Sequence, residues 1–191
     1  MEVILASNNQ HKAREFERLF APHTILLPGD IGLDFNYDET GNTFLENAYG
    51  KAEALFSTTS RPVVSDDSGL CVTALDGAPG IRSARFGADG ENPPENDNKR
   101  TELLLSVMEG KKERAACFVC CMVLILEPWR FISAQETVWG EIALEQHGEG
   151  GFGYDPVFYL PLYEKTVAQL SDLEKDAVSH RGKAARTLLS M

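Results

Sequence analysis

Asp66 and Asp67 stand side by side in Ser65-Asp66-Asp67-Ser68-Gly69-Leu70, directly after the run Pro62-Val63-Val64. Adjacent carboxylates repel and resist desolvation, so a pair beside an apolar strand is costly unless a cation neutralises it. A hard divalent ion such as Mg2+ suits the pair, because it takes one or two carboxylates together with substrate phosphates. Asp, Ser and Gly are also ordinary turn residues, and a solvated turn explains the same residues. In either reading Ser68-Gly69 is expected to bend the backbone sharply just after the acids.

Four further polar stretches carry side chains of matching chemistry. Ser7-Asn8-Asn9-Gln10-His11-Lys12 precedes an expected helix, whose first N–H groups and dipole favour phosphate. Asn9 and Lys12 add donors there, although Ser and Asn are equally ordinary N-caps. Asp38-Glu39-Thr40-Gly41-Asn42-Thr43 is followed by Glu46, Asn47 and Lys51. Glu39 offers another metal oxygen and Lys51 a positive charge, or the segment is a solvated turn and helix face. Gly148-Glu149-Gly150-Gly151-Phe152-Gly153-Tyr154-Asp155-Pro156 surrounds an aromatic ring with glycines. So many glycines imply close backbone approach or unusual dihedrals, and a Phe presented this way can stack on a base. A purely structural turn is the alternative. Lys175 and Ser179-His180-Arg181-Gly182 complete the set. With Ser179 as N-cap, His180 and Arg181 would open a helix as donors to a base carbonyl or to phosphate oxygens; in isolation they read as a basic helix cap. Taken together, these loops supply a phosphate grip, carboxylates for Mg2+, an aromatic platform and hydrogen-bond donors. That is the equipment of a nucleoside triphosphate site, and it lacks the G-x-x-x-x-G-K-[ST] loop of P-loop enzymes.

The elements that must position these residues read as α/β. A strand over 2–6 leads into a helix with Ala13, Phe16, Leu19 and Phe20 on one face, closed by Pro22, and a second strand starts at Thr24. Thr43-Phe44-Leu45-Glu46 is a capping box opening a helix over 44–57, with Leu45, Ala48, Ala52 and Leu55 as its buried stripe and Glu46, Asn47 and Lys51 on a more polar side. Val63 and Val64 form a strand that delivers the acidic turn, and 70–75 continues as another. The polar, Pro- and Gly-containing stretch 87–98 is a candidate mobile loop and the nearest thing to a lobe boundary. A helix over 99–108, a long hairpin from 114–126 and 131–144, a final strand over 157–160, a capping box at Ser171-Asp172-Leu173-Glu174 and a helix over 182–189 follow.

Composition sets the bounds. At 191 residues, 43% hydrophobic and 25% charged, the chain fits one soluble globular domain, 1–191, with room for two lobes. A formal charge of −11 argues against broad nucleic-acid or anionic-membrane binding. No apolar run approaches the ~20 residues of a membrane span, and the start Met1-Glu2-Val3-Ile4 is unlike a signal peptide, so the cytoplasm is the expected compartment. Cys117, Cys120 and Cys121 fall in an apolar run that reads as a buried strand, where Cys acts as a small hydrophobe.

The chain resembles the noncanonical purine nucleoside triphosphate pyrophosphatases, the inosine triphosphate pyrophosphatase family. The resemblance spans nearly the whole sequence. Its ordered motifs are Ser7-x-Asn9-x-x-Lys12, Glu39-Thr40-Gly41-x-Thr43-Phe44-x-Glu46-Asn47 with Lys51, Asp66-Asp67-Ser68-Gly69-Leu70, and Gly77-x-Pro79-Gly80-x-x-Ser83-Ala84-Arg85. Gly150-Gly151-Phe152-Gly153-Tyr154-Asp155-Pro156 and Ser179-His180-Arg181-Gly182 complete it. Ser65 stands where Ala is commoner, and Gln10-His11 fills a variable part of the first loop. The resemblance implies an elongated, two-lobed α/β fold around a long mixed sheet flanked by helices, with an active-site cleft between the lobes, and a homodimer. It implies hydrolysis of ITP, dITP or XTP to the monophosphate and pyrophosphate with Mg2+. By position, it gives Ser7, Asn9, Lys12 and Lys51 to the phosphates, Glu39 and Asp67 to the metal, and Asp67 the role of proton acceptor. It makes Ser68 a substrate contact, and Phe152, Gly153, Tyr154, Asp155, Lys175, His180 and Arg181 contacts of base and nucleotide. Asp66 is left as support. Donors from His180 and Arg181 would favour a 6-keto purine, so Arg181→Ala is expected to narrow the preference for inosine over adenosine triphosphate. The competing readings are a nucleotide pyrophosphatase of different base preference, a catalytically silent nucleotide-binding protein, and an acidic interaction domain.

Overall fold

Val3 and Leu5 point to one side of the first strand, β1 (Glu2–Leu5), Ile4 points to the other, and all three are buried. A strand buried on both sides needs covering elements on both, which dictates a layered α/β arrangement. The computed structural model describes residues 1–88 and 96–191. Seven strands hydrogen-bond in the order β2-β1-β3-β4-β5-β6-β7. They are β1, β2 (Thr24–Leu26), β3 (Val63–Val72), β4 (Ala115–Glu127), β5 (Arg130–Ile142), β6 (Phe158–Leu160) and β7 (Lys165–Thr166). The sheet is mixed: β1 runs parallel to β2 and β3, whereas β6 is antiparallel to β5 and β7. The expected α/β class with a mixed sheet flanked by helices is observed.

The chain forms two compact units, with β3, β4 and β5 each contributing residues to both. The first holds Met1–Ser68, Cys120–Glu136 and His180–Met191. Its helices are α1 (Gln10–Leu19), α2 (Phe44–Thr59) and α5 (His180–Leu189). Val3 and Leu5 share a core with Phe16 and Phe20 at α1 and Ala184, Ala185 and Leu188 of α5. Ile4, Ala6 and Val63 pack instead with Ala48, Ala52 and Leu55 of α2. Strand alternation therefore assigns α1 and α5 to one face and α2 to the other. The second unit holds Gly69–Val119 and Thr137–Ser179, with α3 (Asp97–Val107) and α4 (Asp172–Val178). Its core joins Leu70, Val72, Leu104, Met108, Phe118, Phe158 and Leu170, and the Phe118 and Phe158 rings lie 4.5 Å apart.

Several sequence expectations are corrected. Residues 65–69 are not a turn but the middle of the ten-residue strand β3. Gly69 serves space rather than bending: a Cβ there would stand 2.2 Å from the Gly80 carbonyl oxygen and 2.7 Å from Ser83 Oγ. On α2, Leu45 is exposed while Asn47 and Lys51 are buried, because the polar pair has carboxylate partners in Asp67 and Glu39. Helix α3 starts earlier than expected, at Asp97, capped by the Asn96 side chain. Of the stretch 87–98, residues 89–95 lie outside the described residues. Strand β7, only two residues long, gave too short a pattern to read. Ser179 ends α4, and α5 begins directly at His180.

Candidate active site

Consecutive residues of a strand face opposite ways, and β3 uses this to separate its two acids. Asp66 faces α1 and α5. Its Oδ1 accepts from Lys12 Nζ at 2.9 Å, and its Oδ2 from Arg181 Nε and Nη2 at 3.1 and 2.8 Å. Arg181 also donates to Glu15 Oε2 at 2.6 Å and to Ser68 Oγ at 2.9 Å. Ser68 lies two residues beyond Asp66, on the same face. Asp67 faces α2, where Asn47 Nδ2 donates to its Oδ2 at 2.9 Å and Lys51 Nζ stands 4.0 Å from its Oδ1. Lys51 is also hydrogen-bonded to Glu39 and to the Asp66 carbonyl oxygen, the latter at 2.8 Å. Asn47 and Lys51, four apart on α2, share a helix face, so one helix delivers both partners.

These surroundings split the two carboxylates electrostatically. Burial acts to raise the Asp66 acid, but the charges of Arg181, Lys12 and Lys51 overcome it and hold the carboxyl well below the usual range. Asp67 is pushed up to about 6, chiefly by burial; Lys51 opposes this, Glu39 adds to it, and the Asn47 hydrogen bond opposes it again. Burial disfavours the Lys51 ammonium, yet Glu39, Asp66 and Asp67 more than compensate and raise its pKa. Asp66 is thus a locked anion, and Asp67 a carboxylate that can take a proton near neutrality.

The first loop caps rather than dangles. Asn9 Oδ1 accepts from the His11 and Lys12 N–H groups at 2.9 and 3.2 Å, and Ser7 Oγ accepts from Asn9 N–H at 3.1 Å. The cap reading and the phosphate reading coexist, since the cap orients the start of α1 and with it Lys12. His180, at the first position of α5, is buried.

In the second unit, Phe152 is presented by a loop with glycines at positive φ on both sides, Gly151 at 70° and Gly153 at 62°. Lys175 Nζ lies 4.7 Å from the centre of the Phe152 ring and 2.7 Å from Asp155 Oδ2, which also accepts the Phe152 N–H at 2.9 Å. Tyr154 is buried and donates to the Ser83 carbonyl at 2.8 Å, so its phenol is structural in this arrangement. Lys175 and Asp155 are both buried, and each neutralises the other's desolvation.

A divalent ion fits the first unit. Glu39 and Asp67 share one cation, the Lys51 ammonium, so two carboxylates face a single positive charge and the cluster has anionic capacity to spare. Among the described residues no group of three or more His, Cys, Asp or Glu side chains could hold a metal. Such a pair suits an ion that completes its shell with phosphate oxygens and water. The residues that the sequence reading underrated are Asn47 and Glu15. A charged Glu15 beside Phe16 and three residues after Lys12 carried no signal until Arg181, far along the chain, was folded against it.

Comparison with known proteins places the whole chain among relatives. The Ham1 family model matches residues 3–191. A relative from Treponema denticola, named dITP/XTP pyrophosphatase, is 48% identical over 185 residues, covering 96% of this chain and 94% of the relative. The structure of the Staphylococcus aureus Ham1 protein superposes with a TM-score of 0.84 at 41% identity, covering 99% of this chain and 96% of that one. A HAM1 protein from Coxiella burnetii gives 0.87 at 35% identity, covering 100% and 97%.

Proposed function

The chain belongs to the Ham1 family, and on that premise we propose that it hydrolyses noncanonical purine nucleoside triphosphates such as dITP, ITP and XTP to the monophosphate and pyrophosphate. It is then a hydrolase of nucleotide metabolism acting on a phosphoanhydride bond. The observation that carries the reading is the division of the β3 acids: one is locked by Arg181 and Lys12, the other held beside Lys51 and Glu39 by Asn47.

In this reading Asp67 accepts the proton of a water that attacks the α-phosphorus, as the α–β phosphoanhydride bond breaks and pyrophosphate leaves. Lys12 and Lys51 stabilise the charge that grows on the leaving group, and Ser7 and Asn9 orient the phosphates at the start of α1. Mg2+, held by Glu39 and Asp67, would neutralise triphosphate charge when bound. The Phe152 ring, backed by Lys175 and Asp155, serves as the stacking platform for the base, with Gly153 and Tyr154 shaping the backbone around it. The start of α5 at His180 presents donors suited to a 6-keto group. Arg181 serves from within, through Asp66 and Ser68, which makes its loss a structural event first.

The cytoplasm is the proposed compartment, and no helix among the described residues is long and apolar enough to cross a membrane. A homodimer is part of the proposal; within the first unit Trp129 is 100% and Phe131 48% exposed, apolar surface that a second copy could cover. The test of function is kinetics over a panel of purine and pyrimidine triphosphates with and without Mg2+, identifying both products. Mg2+-dependent release of pyrophosphate from dITP and XTP, far ahead of dATP, dGTP and modified pyrimidines, is expected. A preference for a pyrimidine would replace the substrate class, and no turnover of any nucleotide would leave a binding protein.

A further inference from the structure

The loop that carries Phe152 is soft by composition. Four glycines occur within 148–153, and Gly148, Gly151 and Gly153 adopt φ values of 85°, 70° and 62°. Glycines have access to far more backbone conformations than other residues, so a ring presented by such a segment holds one orientation only if its peptides are tied down. On one side the ties are local: Gly150 N–H donates to the Ala168 carbonyl at 3.1 Å, and Phe152 N–H to Asp155. On the other side they come from the N-terminal end of α3, which has no part in the chemistry proposed above. Asp97 Oδ2 accepts the Gly153 N–H at 2.6 Å, and Thr101 Oγ1 stands 3.3 Å from the Gly153 carbonyl oxygen. Asp97 is itself paired with Arg100, and Thr101 is 1% exposed, its hydroxyl also 2.8 Å from the Asp97 carbonyl. A third tie joins Gln146 to Asn98 at 3.0 Å.

The N–H of Gly153 belongs to the peptide before it and its carbonyl to the peptide after it. Asp97 holds the first of these peptides, and the Thr101 hydroxyl, its one hydrogen shared between the Asp97 and Gly153 carbonyls, braces the second, which restrains φ and ψ of the one residue that links Phe152 to the buried Tyr154. We propose that Asp97 and Thr101 are positioning residues for base recognition, clamping Gly153 so that the Phe152 ring stays in its stacking orientation. This rests on the reading that Phe152 receives a purine base. Its consequence is selective. Loss of the clamp loosens the platform for any purine, while the grip of the first unit on phosphates is untouched.

The test combines steady-state kinetics on dITP, inhibition by inorganic pyrophosphate, and amide hydrogen exchange over 148–156 in Asp97→Ala, Asp97→Asn, Thr101→Val and Thr101→Ser. Asp97→Ala and Thr101→Val are expected to raise KM about tenfold with kcat within about twofold. Both should leave pyrophosphate inhibition unchanged and quicken exchange in the loop. Asp97→Asn and Thr101→Ser, which keep an acceptor and a hydroxyl, should return both readouts toward wild type. Unchanged KM and exchange in the Ala and Val variants would overturn the proposal, as would conservative variants as impaired as the disruptive ones. An equal loss of nucleotide and pyrophosphate binding would also overturn it, by showing a general structural effect. A wild-type protein with no activity on any purine triphosphate would instead defeat the functional reading, and exchange alone would then decide the clamp.

Discussion

Asp67 is held at some cost to the fold, and that cost has a sign. Its folded-state pKa is raised to about 6, above the ordinary carboxyl range, so the native state binds a proton that the unfolded chain has already released. Stability from this group therefore falls as pH rises from about 4 to about 6, and the penalty is fully present above that. Asp67→Asn should abolish turnover, yet raise the stability of metal-free protein at pH 7.5 by roughly 1–3 kcal/mol. Thermal melts across pH check this: the gain should shrink toward zero near pH 4, and added Mg2+ should stabilise the wild type but not the variant. Asp66 behaves in the opposite sense. Its depressed pKa gives stability that is present above the unfolded carboxyl range and lost only as pH falls through the folded value. Arg181→Ala would leave Asp66 and Glu15 buried without their main counter-charge, a loss of about 3–5 kcal/mol in urea unfolding. Arg181→Lys should restore little, since one ammonium cannot reproduce a guanidinium fork reaching Asp66, Glu15 and Ser68.

At the scale of elements, β3 is the part that most needed a structure. Its acids resembled a turn because Asp, Ser and Gly are turn residues and strand propensity is low for all of them. What holds them in a strand is tertiary: α1 and α5 bring cations to one face, and α2 brings Lys51 and Asn47 to the other. Gly69 belongs to the same account. Gly69→Ala would force the Gly80 carbonyl and Ser83 aside, and a loss of about 1–3 kcal/mol in equilibrium unfolding is expected. The helices α1 and α2 were legible because their caps and apolar spacing are local signals; Asn9 and Thr43 do cap them. Even there the burial of Lys51, a residue the motifs give to the phosphates on the more polar side of α2, is not legible locally, since a charge at a buried helical position makes sense only once Glu39 and Asp67 are seen beside it.

For the whole molecule, a formal charge of −11 coexists with buried clusters where Lys12, Lys51, Lys175 and Arg181 are each matched to carboxylates. The excess negative charge is thus carried largely elsewhere and acts as self-repulsion, which salt screens over about 8–10 Å. Raising ionic strength from about 10 to 150 mM should raise the melting temperature, readable by calorimetry. The sequence by itself determined the α/β class, the helix starts, the apolar strands and the ordered motifs that identify the family, because these depend on residues near one another in the chain. Tertiary structure alone decided that Asp66 and Asp67 have different fates, that Arg181 reaches back to Glu15, and that α3 holds Gly153. Each of these joins residues distant in sequence, and the energy of a buried charge or a soft glycine loop is fixed by the neighbours folding brings, not by its own place in the chain.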